Sequence, residues 1–213
     1  MADRYFGSNA GKVTVKGGRA SRKQREILGR ALAYADKHKV PYAAKLALVS
    51  ALIVESEAKN LSSPSADGYG SYGVLQGLER YHGKKNLMNP EYQFSVFLGK
   101  NKKWPKGFTS KGNAVEFARR GMAPGDIAQA VEGSAYPDRY AQYIGEAKRI
   151  IRAYRGANQG GAPSRGGSTG GSAAPSVATD QRQQALLALA QSYTTGRSRK
   201  VKPVMPDWTK TRG

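Results

Sequence analysis

The sequence contains no cysteine among its 213 residues, which excludes disulfides and thiolate metal sites. It has only two histidines, His38 and His82, and neither stands in a metal-ligand spacing such as HExxH. No cofactor is therefore expected. Long apolar runs are also missing. The longest, Leu46–Val54, is broken by Ser50 and is too short to cross a bilayer. The first residues, MADRYFGSNAGKVTVKGG, have no apolar leader core, so synthesis in the cytoplasm without an export signal is expected. Acidic residues are scarce as well, 15 against 35 Lys and Arg, giving a formal net charge of +20. Such a charge predicts non-specific adhesion to polyanions, either DNA or wall polymers, but says nothing of fold.

Hydropathy patterning divides the chain into four parts. Residues 1–18 are polar, Gly- and Lys-rich and without periodicity, and read as a flexible basic arm. Residues 19–155 carry a compact, mainly α domain. Residues 156–179, beginning GANQGGAPSRGG, form a Gly/Ser-rich linker. Residues 180–213 hold a short helix with a narrow leucine stripe and a basic tail suited to docking.

Within the domain, Ser21 caps a first helix that stops before Pro41. The stretch from Tyr42 to about Lys59 is apolar nearly all round and predicts a central buried helix. Further helices are expected at Pro90–Leu98, with Asn89 as cap, at Asn113–Arg120, at Pro124–Val131 and at Asp138–Tyr154. A basic loop, Lys100–Gly112, carries Trp104. The one strand signal is a short β-hairpin near Gly68–Gln76.

The chemistry-bearing block runs ALIVESEAKNL and then DGYGSYGVLQ. A carboxylate at the end of a buried helix loses hydration, which raises its pKa and keeps a proton available for general acid catalysis. A glycine-rich loop beside it admits a bulky polar substrate, and an acid protonating a leaving oxygen suits glycoside cleavage. Spacing alone leaves Glu55 and Glu57 both open for this role, and a plain helix-end carboxylate has the same spacing. The segment Gly68–Gly73 formally matches G-x-G-x-x-G, but it follows a helix and a Ser/Pro loop instead of a strand, which excludes the dinucleotide reading.

ALIVES resembles the helix of soluble lytic transglycosylases and goose-type lysozymes that ends in the catalytic Glu followed by Ser. Ser71-Tyr72-Gly73-Val74-Leu75-Gln76 is similar to the S-x-G-L-M-Q segment of that superfamily. The block AVEGSAYP with Tyr140 is similar to lysozyme-like domains of bacteriophage tail proteins, and the resemblance spans roughly Arg22 to Tyr154. It implies a lysozyme-like α-helical fold that cleaves the β-1,4 bond between N-acetylmuramic acid and N-acetylglucosamine. Glu55 would act as acid and then base, with Ser56, Ser71, Gly73 and Gln76 along the glycan groove. Tyr136 or Tyr140 would pack near the acid or touch substrate. The usual A-Y-N-A-G stretch is replaced by AVEG, so its Asn role is unfilled or falls to Glu132 or Ser134. A hydrolase more often needs a second carboxylate, for which Asp67 is the nearby candidate. The resemblance further implies a virion-associated enzyme acting on peptidoglycan glycan strands, attached to other virion or tail proteins through its C-terminal helix and tail. Two rivals follow: a muramidase-type hydrolase of the same bond, and an inactive virion structural or nucleic-acid-binding protein.

Overall fold

The computed structural model describes residues 3–64, 70–134, 136 and 138–158. The architecture is mainly α with two small antiparallel hairpins. Helix α1 (Arg22–Lys37) opens on a capping box: Ser21 Oγ accepts from the Gln24 amide at 3.3 Å, and the Gln24 side chain accepts from the Ser21 amide at 2.8 Å. It buries Ile27, Leu28, Ala31, Leu32 and Ala35. Helix α2 (Tyr42–Ser56) follows Pro41 and is buried on all sides from Leu46 to Val54, as expected for a central helix.

Around α2 pack α1, α6 (Ala114–Arg119), α7 (Pro124–Glu132) and α8 (Ile144–Asn158). Asn89 caps α5 (Pro90–Phe97), and Asn113 caps α6 through the Glu116 amide at 2.9 Å. Two one-turn helices escape the periodicity of the sequence, α3 (Glu79–His82) and α4 (Lys84–Leu87). Four residues are too few to establish a 3.6-residue repeat. The last helix also starts later than the sequence suggests. A 3₁₀ turn, Ala141–Tyr143, intervenes after Asp138, whose φ of +59° departs from the helical region. Among the described residues no helix is long and apolar enough to cross a membrane.

The N-terminal arm expected from the sequence is instead folded from residue 3 onward. Phe6 and Val13 are fully buried, and the Phe6 ring meets Tyr154 edge-on at 6.1 Å. Strands β1 (Thr14–Val15) and β2 (Gly18–Arg19) join through Lys16 and Gly17, both at positive φ, as a two-residue hairpin turn requires. The buried Glu146 carboxylate on α8 accepts from Thr14 Oγ1 at 2.5 Å and from the Lys16 and Gly17 amides at 3.1 and 3.2 Å. Arg25 clamps Asp3 at 2.7 Å. These anchors lie on α1 and α8, so no local pattern announces them. The linker, the C-terminal helix and the basic tail lie outside the described residues.

The second hairpin pairs β3 (Ser71–Tyr72) with β4 (Gly77–Leu78), placing Ser71 opposite Leu78 and Tyr72 opposite Gly77. Its position is close to the one the sequence suggests. The fully buried Gln93 of α5 holds it in place: Gln93 Oε1 accepts from the Leu75 amide at 2.8 Å, and Nε2 donates to the Leu87 and Tyr72 carbonyls at 2.5 and 3.1 Å.

Candidate active site

Helix α2 ends one residue after Glu55. Glu57 and Ala58 both turn left-handed, with φ of +55° and +54°, and their amides return to the carbonyls of Ile53 and Leu52. This turn separates the two candidate carboxylates. Glu57 swings to the surface, where Lys59 at 2.7 Å and Lys16 at 3.4 Å bind it and hold its carboxyl below the usual range. Glu55 remains at the domain interior, its side chain only 14% exposed.

Tyr140, itself buried, donates its hydroxyl to Glu55 Oε1 at 2.5 Å, and Arg139 lies 3.7 Å from the same oxygen. Burial, followed by the nearby charges of Glu132 and Glu55, pushes the Tyr140 phenol strongly upward, so it stays a donor. Of the two tyrosines considered from sequence, Tyr140 is therefore the one against the carboxyl. Tyr136 is 70% exposed and lines a shallow open cleft of about 590 Å³ with Asp138, Arg139 and Gln142. Arg139 thus links that cleft to Glu55.

Other residues expected along a groove serve the frame. Ser56 is buried and donates to the Val74 carbonyl at 2.7 Å, tying α2 to the hairpin segment. Ser71 is buried in β3. Gly73 has φ of +82°, and a Cβ there would collide with the Gln93 side chain and the Leu87 carbonyl. The close approach that glycine allows is therefore to the protein's own backbone and Gln93. Gln76 alone of this set reaches a pocket, its amide donating to the Gly73 carbonyl at 2.9 Å. Asp67 lies outside the described residues.

That pocket, about 120 Å³, is lined by Gln76, Gly77, Leu78, Tyr81, His82, Phe108, Thr109 and Glu132. His82 is packed against Trp104, with ring centroids 4.5 Å apart, and its Nδ1 lies 3.0 Å from the Tyr92 hydroxyl. Burial, assisted by Lys103, lowers its pKa, so the imidazole is neutral at neutral pH. Trp104 is half-buried and buttresses this wall.

Glu132, the last residue of α7, was legible in the sequence only as a stand-in for a missing Asn. The residue as a whole is half-buried, yet its Oε1 is closed off from solvent and has no hydrogen-bond partner among the described residues. Burial first, and then the charge of Glu55, push its carboxyl well above the usual range, with Arg139 opposing. The desolvated carboxyl that sequence reasoning places at Glu55 is thus found on Glu132. An acidic residue closing a helix otherwise apolar at Ile127, Ala128 and Val131 was the available signal.

A proton-bearing carboxyl, a second carboxyl with a phenol and a guanidinium upon it, and clefts beside each make an arrangement capable of acid–base chemistry on a polar substrate. No family model matches the chain, and no curated protein is similar to it.

Proposed function

We propose that this protein is a peptidoglycan-cleaving lytic transglycosylase with a lysozyme-like domain, acting at the β-1,4 bond between N-acetylmuramic acid and N-acetylglucosamine. The observation that carries this reading is Glu55, at the end of a buried helix, hydrogen-bonded to Tyr140 and set beside the Ser71–Gln76 segment. Glu55 would protonate the glycosidic oxygen as the bond to C1 breaks. It would then accept the proton of the sugar's 6-hydroxyl as that oxygen closes the anhydro ring. The work is proposed to take place on the bacterial wall from a phage virion or tail, with other virion proteins as attachment partners. The high positive charge would favour adhesion to wall polymers or DNA.

Incubation with purified peptidoglycan, followed by mass analysis of the soluble fragments, tests this. The expected products carry an anhydro end and are lighter by one water than hydrolysis products. Intact glycan strands after long incubation would overturn the enzymatic reading in favour of a binding or structural role. Hydrolysis of the same bond is a second reading, favoured by one observation: a second carboxyl, Glu132, stands close enough to Glu55 for their charges to interact.

Tyr140 fixes the Glu55 carboxyl through Oε1, leaving Oε2 for the substrate. Tyr140→Phe removes a hydrogen bond to a carboxyl group, worth roughly 1.5–3 kcal/mol when charged, so cleavage is expected to fall about 10-fold or more. Steady-state turnover of wall fragments checks this, and an unchanged rate would show that Tyr140 only fills space.

A further inference from the structure

We propose that Glu55 and Glu132 form a carboxyl pair that carries one proton between them at neutral pH, giving the site both a proton donor and a standing carboxylate. This rests on the reading of Glu55 as the acid of a glycan-cleaving site.

The distribution of donors carries the inference. Tyr140 gives its hydroxyl to Glu55, and the Arg139 guanidinium lies against the same oxygen. No described donor reaches Glu132 Oε1, although that oxygen is shut off from water. An unpaired carboxylate oxygen in such a place is costly, and protonation removes the cost. Negative charge therefore collects on the carboxyl with donors and the proton on the one without. Two like charges this close also oppose each other, which favours the singly protonated pair.

The remaining charged and titratable groups around Glu132 leave this assignment intact. From α2 comes Glu55, and from the segment before the 3₁₀ turn come Arg139 and Tyr140. From α3 come Tyr81 and the neutral His82 across the small pocket. The ionisable residues of α6, Glu116, Arg119 and Arg120, line a separate groove, and Asp126 on α7 is exposed.

The proton balance is simple. The pair loses its proton to the leaving glycosidic oxygen as the C1–O bond breaks. The second negative charge is offset by Arg139 and by the positive charge developing at C1. The incoming hydroxyl, of the sugar or of water, returns a proton to the pair as its oxygen bonds to C1. Two carboxyls in unlike surroundings thereby divide the roles of donor and charge stabiliser.

Two measurements test this. In the full-length protein with 13C-labelled glutamate carboxyls, Glu132 should titrate above the usual carboxylate range, and its midpoint should move down in Glu55→Gln. A midpoint in the ordinary range, or one indifferent to Glu55→Gln, overturns the pair whether or not the protein cleaves walls. The second is the pH profile of kcat/KM. Glu132→Gln preserves shape and neutrality but cannot hold the second proton site. Its alkaline limb should move to lower pH, with at least about a 10-fold loss at neutral pH. A Glu132→Gln profile superimposable on wild type, alongside an inactive Glu55→Gln, overturns the pair and spares Glu55. Full activity in Glu55→Gln overturns the reading of Glu55 itself.

Discussion

Glu55→Gln is expected to lower peptidoglycan cleavage by at least about 100-fold, the loss typical when a general acid is removed. Glutamine keeps the shape of the side chain and can still accept from Tyr140 through its amide oxygen. The fold therefore survives, and thermal unfolding should match wild type. Glu57→Gln is the matched control. Glu57 lies past the left-handed turn on the surface, bound to Lys59 and Lys16, and these exposed ion pairs are worth little. Cleavage and stability should both stay close to wild type. The discriminating measurement is turnover of purified wall by the two variants in parallel. Activity surviving in Glu55→Gln but lost in Glu57→Gln would move the chemistry to the surface carboxylate.

The second large effect is on stability, at Gln93. Its amide satisfies the Leu75 amide and the Tyr72 and Leu87 carbonyls, all within a buried part of the domain. Gln93→Leu keeps the apolar bulk but leaves three backbone groups without partners. Buried groups left unpaired cost about 1–3 kcal/mol each, so a total near 3 kcal/mol is expected after relaxation. For a domain of this size the melting temperature should fall by about 10 °C. Calorimetry checks the figure, and a shift under about 2 °C would mean that water or a rearranged hairpin replaces the amide. Because Gln93 holds the segment between β3 and β4, the Gln93→Leu variant should also lose cleavage at temperatures where it remains folded.

Residues that organise themselves locally were legible before any coordinates. Ser21 with Gln24, Asn89, Asn113 and Pro124 each set a helix start through groups two or three positions away. The apolar surround of α2 announced a central helix because burial on all sides leaves no polar face. Glu55 was named from its place at the end of that helix and from the resemblance of ALIVES. The mainly α class with a short hairpin followed from the same periodicities.

What the tertiary structure decided depends on contacts far apart in the chain. Phe6, Val13 and Asp3 look like parts of an arm until α1 and α8 supply Arg25, Tyr154 and Glu146. Ser56, Ser71 and Gly73 match a groove-lining pattern, yet Val74, Leu78 and Gln93 claim them for the frame. Glu55 and Glu57 could not be separated by spacing, since a left-handed turn at one residue sends one outward and leaves the other inside. Glu132 stands 77 positions from Glu55, and only the packing of α7 on α2 brings their charges into range. Desolvation belongs to the place where a side chain ends up, and that place is set by the whole fold.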